Sequence, residues 1–312
     1  VTAGLVFLAA RQWLTNRQAL SAAALYAINP VVVGLAATRY AWNATSLFLC
    51  FFVASLWLLG RSVRHPRLST FLGAGVSRGI ATLVWPAPSW LWLIDVGLIF
   101  RTRRTQTNDR PLRHAAAFLA GIAVVILPWI ATVHARTGHV ALSTGLYQSM
   151  WDGVTFPLTP TSDGAARFTE RANGAHAAGH LASVGAISAF YARQLIEHPR
   201  DTAEFLVRKG GHAWFASIGG TLDRAVFWSQ LPLWLLAIGG GLIAWRRNRT
   251  LALYGGAIAA YFWIVAIAVM SVVRYMTPAI IMLSWFAGIA LDDVVSRQTP
   301  ALADTRASLR RQ

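Results

Sequence analysis

Residues Ala115–Val133 read AAAFLAGIAVVILPWIATV, an apolar stretch with no charged side chain in it. A helix needs about 20 such residues to cross a hydrocarbon core about 30 Å thick. No strand-like alternation runs through it, and in lipid the backbone polar groups of a lone segment can be satisfied only inside a helix. The stretch therefore predicts a membrane-spanning helix. The same reading extends backwards to Val1–Leu14, Ala19–Leu35, Asn43–Gly60, Leu68–Val84 and Ala87–Phe100. Forwards it takes in Val226–Trp245, Leu251–Ser271 and Tyr275–Leu291. The first and fifth of these segments are short for a span. The fold class expected is all-α, a polytopic transmembrane helix bundle of about nine apolar segments with one long extracytoplasmic loop.

Composition agrees. Of 312 residues 55% are hydrophobic and only 13% charged, with a mean hydropathy of +0.48. A soluble domain carries about a quarter charged residues. The net charge of +16 would suit a nucleic-acid partner if it formed a patch. Here the arginines fall in short clusters between apolar runs, the pattern of membrane topology, so no nucleic-acid partner is expected. Cys50 is the one cysteine, which excludes a disulfide framework and a cysteine metal site. The chain opens on Val1 already inside apolar sequence, with no basic region or cleavage site of a signal peptide. That reads as an alternative start or as a fragment whose beginning is missing.

The clusters also orient the bundle. Arg61, Arg64 and Arg67 follow the third segment, Arg101, Arg103, Arg104, Arg110 and Arg113 the fifth, and Arg246, Arg247 and Arg249 the seventh. If each segment spans once, all lie on one side together with Arg17, and the positive-inside rule makes that side cytoplasmic. The long loop, about His134–Arg224, lies on the other side, where its acidic residues nearly balance its basic ones. The expected organisation is a first membrane part at 1–133, an extracytoplasmic loop with short helices at 134–225, C-terminal membrane helices at 226–291 and a cytoplasmic tail at 292–312. Within the loop, Thr155–Gly164 is rich in turn residues. Val184–His198 and Asp201–Phe215 read as two helices separated by Pro199.

No glycine-rich phosphate loop, nucleophile elbow or metal-binding spacing is present. No cofactor is implied, and no divalent cation is indicated. Two charges lie within apolar segments. Arg78 precedes Pro86 by eight residues and Asp95 follows it by nine, so at about 1.5 Å per residue both sit about 12–14 Å below the same turn. The expectation is a structural ion pair, with a proton-relay role as the functional alternative. On the external face, Arg39, Tyr40, Asn43, Trp85, Tyr147, Gln148, Lys209, Arg274 and Tyr275 are polar or aromatic groups able to meet a lipid phosphate or a sugar.

Several stretches together resemble a known family. They are Ala27-Ile28-Asn29-Pro30, then Gly79-Ile80-Ala81-Thr82-Leu83-Val84-Trp85-Pro86, then Leu127-Pro128-Trp129 with Gly138-His139-Val140-Ala141-Leu142-Ser143-Thr144. His198-Pro199 with Lys209 and Val273-Arg274-Tyr275 with Pro278 complete the series. In order and spacing they are similar to the bacterial GT-C glycosyltransferases related to protein mannosyltransferases and aminoarabinose transferases, over most of the chain. The resemblance implies a multi-pass protein of the bacterial inner membrane that takes a sugar from a polyprenyl phosphate or pyrophosphate carrier. The acceptor, a lipid, glycan or protein, would react at the external face. In such enzymes an acidic residue in the first external loop serves as base or positions the acceptor, and basic groups hold the carrier phosphate.

The chain departs from that pattern in three places. The family's first helix and catalytic loop would lie before Val1. The Arg often preceding the fourth segment's Pro is Trp85, and Trp42-Asn43 stand where an acidic residue is common. The resemblance then leaves Lys209, Arg274 and Arg39 as carrier-phosphate contacts, with Tyr40, Asn43, Trp85, Tyr147, Gln148 and Tyr275 facing substrate. The catalytic base is unknown, and Asp152 is the nearest substitute within the chain. Two other readings stand beside this one. One is a transporter or flippase for a lipid or anionic solute, working through Arg78 and Asp95. The other is a non-catalytic truncated remnant acting as a scaffold.

Overall fold

The computed structural model describes residues 1–37, 43–103, 111–140, 142–143, 145–155, 163–217 and 220–309, with side chains except at 43, 103, 155 and 299–309. All regular structure among the described residues is helical. The first part holds α1 (Thr2–Ala10), α2 (Asn16–Ala27), α3 (Pro30–Ala37), α4 (Asn43–Arg64), α5 (Leu68–Val84), α6 (Trp92–Arg103) and α7 (Pro111–Thr137). The loop region holds α8 (Gly145–Thr155), α9 (Asp163–Ala177), α10 (Val184–Glu197) and α11 (Pro199–His212). Then come α12 (Asp223–Arg247), α13 (Arg249–Ala268), a 3-10 turn (Val273–Met276) and α14 (Thr277–Leu309).

Each apolar segment of the sequence holds a helix, but α1 with 9 residues and α6 with 12 are too short to span, and two further segments differ from a plain span. Ala19–Leu35 is broken into α2 and α3, which meet at 53°. Pro30 disfavours helix at Asn29, and the freed amide side chain caps the new helix: its Oδ1 accepts from Val31 N at 3.0 Å. The amide also exchanges two hydrogen bonds with Gln230 on α12, at 3.1 and 3.0 Å, inside the protein. The last helix does not stop at Leu291, for α14 runs on to Leu309. The boundary at 291/292 is a change in chemistry and not in backbone.

Five helices are long and apolar enough to cross a membrane, or up to six if α2 and α3 make one bent span; α5 is a shorter apolar helix. Their outward faces are greasy: Val124, Leu127 and Trp129 stand exposed on α7, and Leu235, Ile238 and Leu242 on α12. Such a surface suits lipid in place of water. Without a hydrophobic drive between helices, close backbone approach supplies the packing. A Cβ at Gly75 would strike the Phe118 carbonyl and one at Gly121 the Leu72 carbonyl, so only glycine lets α5 and α7 cross this closely. Gly240 plays the same part between α12 and α14.

One end of the bundle gathers the basic clusters. Arg247 meets Asp293 at 2.8 Å, Gln18 meets Asp292 at 3.1 Å, and Arg101 donates to Thr250 at 3.3 Å. The α5–α6 turn, the 3-10 turn and the loop region occupy the other end. The loop region has its own small core, with Phe168 stacked on Phe205 at 4.1 Å and Val154, Leu181 and Ile187 around them. α8 and α9 flank residues 156–162, which lie outside the described residues.

Candidate active site

Pro86 forces Trp85 into extended backbone and ends α5. The Trp85 ring then lies edge-on to Phe48, with centroids 4.9 Å apart, and 5.1 Å from the ring of Tyr275. Tyr275 sits on the 3-10 turn, whose first N–H, from Val273, donates to the Ala216 carbonyl at the close of the loop region. Arg274 lays its guanidinium over the Tyr275 ring at 5.1 Å, with Nη2 3.5 Å from the phenol oxygen. Trp85, from the end of α5, is thus brought to Arg274 and Tyr275, neighbours on the 3-10 turn. Arg39 and Tyr40 lie outside the described residues, as does the side chain of Asn43.

Lys209 has a different place from the one expected. It is 1% exposed, and its Nζ donates to the carbonyls of Gly153 at 2.7 Å and Val269 at 2.8 Å. Phe205 covers it at 5.4 Å, and burial lowers its pKa to about 7. An ammonium committed to two carbonyls in the interior is a pin and not an open phosphate contact. The correction has a physical reason: Lys209 is on the inner face of α11, where a long stem reaches two backbone turns at once. Gly153 permits this, since a Cβ there would strike the Val269 carbonyl.

The pin has a consequence for Asp152. It fastens α8 beside Val269, in the segment that leads into the 3-10 turn and Arg274. Asp152 is half-buried on α8 and accepts a 2.6 Å hydrogen bond from Gln148, which is exposed. Tyr147 packs against the small core of the loop region. The candidate residues therefore form two groups, Trp85–Tyr275–Arg274 and Gln148–Asp152, linked through Lys209.

Arg78 and Asp95 meet away from both groups. Nε donates to Oδ2 at 2.9 Å and Nη2 to Oδ1 at 3.2 Å, with side chains 1% and 0% exposed. Tyr254 of α13 adds a hydrogen bond to Oδ1 at 2.7 Å, and Phe52 lies 4.7 Å from the guanidinium carbon. Sequence reasoning missed Tyr254, Phe52 and Gln230. For Tyr254 and Gln230 the available signal was a polar group on an otherwise apolar helix, which needs an internal partner; Phe52 carries no such signal.

Residues 1–131 match the family model described as dolichyl-phosphate-mannose-protein mannosyltransferase. No curated protein matches the chain. Among solved structures, the fold is similar to the oligosaccharyltransferase AglB of Archaeoglobus fulgidus, solved with an inhibitory peptide and a dolichol-phosphate. The TM-score is 0.52 at 17% identity, over 98% of this chain and 39% of that one. This chain therefore spans well under half the length of that structure, and at this identity the likeness concerns the fold. The first 131 residues are thus similar to a mannosyltransferase family, and the fold is similar to that of an oligosaccharyltransferase, in line with the resemblance read from the sequence.

Proposed function

We propose that the protein transfers a sugar from a polyprenyl-phosphate-type lipid carrier to an acceptor, at the face of the bacterial inner membrane opposite the basic end. The observation that carries this reading is Arg274, held half-buried against Tyr275, whose ring in turn packs on Trp85, at that end of the bundle. When the glycosidic bond breaks, the carrier phosphate gains negative charge. A guanidinium already in place stabilises that charge without reorganising. The Trp85 and Tyr275 rings offer flat apolar faces for a sugar or an isoprenoid. Asp152, oriented by Gln148, is the carboxylate proposed to take the proton of the acceptor hydroxyl or to position it. The acceptor is a lipid, glycan or protein. The sealed Arg78–Asp95 pair gives a transport reading no open charge to work with.

The test is transfer of labelled sugar from a polyprenyl-phosphate donor by the chain in proteoliposomes. Arg274→Ala is expected to lower kcat/KM by about 10–100-fold, the size of a lost charge-assisted hydrogen bond. Full activity in that variant removes Arg274 from the site. Folded protein that transfers nothing from any carrier supports the scaffold reading instead.

A further inference from the structure

At the opposite, basic end lies a cavity of about 360 Å³ lined by Leu58, Arg61, His65, Arg67 and Thr70. It is built by the turn between α4 and α5. Arg61 and His65 are four residues apart at the end of α4 and so share a face. Pro66 breaks the helix, and Arg67 stands in extended backbone as the residue before α5. No side chain caps that amino end, so its first N–H groups and the helix dipole add to the positive field.

The chain carries no Asp or Glu from Val1 to Ile94. Among the described residues no carboxylate pairs with Arg61, His65 or Arg67. This sets them apart from Arg247 and Arg297, which share Asp293 at the same end. The other wall is apolar. Leu58 lines the cavity, and the Trp57 ring lies 5.9 Å beneath the Arg61 guanidinium. A free anion would use the cations alone, whereas a charged head joined to hydrocarbon uses both walls.

We propose that this cavity binds the phosphodiester head of an anionic membrane lipid, with its acyl chains lying along α4 and α5. Arg61 and Arg67 hold the phosphate oxygens, His65 donates a further hydrogen bond, and Leu58 with Trp57 meets the glycerol and upper chains. The site is separate from Arg274, which lies at the far end of the bundle.

The experiment titrates the purified full chain, in neutral detergent, with fluorescent phosphatidylglycerol. Unlabelled phosphatidylglycerol is expected to displace it, and phosphatidylcholine or millimolar inorganic phosphate is not. Arg61→Gln and Arg67→Gln each weaken binding about fivefold, the share of one cation near an anionic headgroup. Joined with His65→Gln they weaken it beyond tenfold. Arg246→Gln with Arg249→Gln, removing charge from the same end but not from the cavity, leaves binding unchanged. If the triple variant does not fold, the single variants and Arg61→Lys/Arg67→Lys carry the test, the lysine pair retaining most of the affinity. Equal binding of phosphatidylcholine, complete displacement by inorganic phosphate, or undiminished affinity in the single variants overturns the proposal.

Discussion

Arg78 and Asp95 face each other across α5 and α6 in a two-pronged ion pair, with Tyr254 donating to the same carboxylate. Two ions taken out of solvent are costly to isolate, and their mutual attraction offsets that cost only while both are present. The tyrosine and the Phe52 ring make the arrangement directional. Asp95 has a hydroxyl aimed at it, and Arg78 has an aromatic face beside it.

Replacing either partner alone is therefore expected to cost about 3–5 kcal/mol and to lower the yield of folded protein. Exchanging the two charges restores the pair but sets Tyr254 and Phe52 against the wrong groups. The swap should recover only part of the loss, while Arg78→Leu with Asp95→Leu recovers more. Thermal unfolding in detergent ranks the variants. A swap as stable as the parent would show that Tyr254 and Phe52 add nothing.

Close backbone crossing gives a second prediction. Gly75→Ala puts a Cβ onto the Phe118 carbonyl, so α5 and α7 must separate, at a cost of about 1–3 kcal/mol. Gly97→Ala, on α6, meets nothing within 4 Å and should be neutral or slightly stabilising. Equal melting temperatures for the two variants would remove the glycine crossing as a source of stability.

What the sequence made legible follows from how far each signal reaches. Apolar runs marked the helices because the lipid requirement acts on every residue of a span. Helical rise alone put Arg78 and Asp95 at one depth below the turn at Pro86. Pro199 marked the break between α10 and α11, where it opens α11. Pro30 marks the bend at Asn29 locally, but the partner that holds the Asn29 amide inside the protein, Gln230, lies 201 positions away. The α8 and α9 helices carry no long apolar run to announce them; burial of Val154 and Phe168 in a shared core holds the segments in place. Lys209 was read as an open cation because only its charge shows in the sequence. Its neighbours Gly153 and Val269 lie 56 and 60 positions away.

Lys209 also sets a pH dependence. Burial lowers its pKa from 10.5 to about 7. Between these values the unfolded chain holds a proton that the folded chain lacks, so stability rises with pH through this window. Below about 7 both states are protonated and the folded one bears the full burden of a buried charge. Lys209→Met has no such titration. The melting temperature of the parent relative to Lys209→Met should climb as pH is raised from about 7 towards 10.5. A flat difference would mean that the two carbonyls keep the ammonium charged throughout.

The loop region has a switch of the same sign at acid pH. Asp201 accepts from Arg167 at 2.6 and 3.1 Å and from Arg171 at 3.0 Å. The hydrogen bonds from Arg167, then the one from Arg171, hold its carboxyl well below the usual carboxylate range. That stabilisation is complete above the ordinary value of 3.8 and is lost only as pH falls from there towards the lowered one. Protonation releases α9 from α11, because Arg167 and Arg171 lie on one and Asp201 on the other. Hydrogen exchange in α9 and α11 should then rise below about pH 4, while α7, held by glycine packing and lipid, stays protected. Asp201→Asn should show the faster exchange at neutral pH and little further change on acidification. If the parent and Asp201→Asn lose protection together at the same pH, another carboxylate controls the transition.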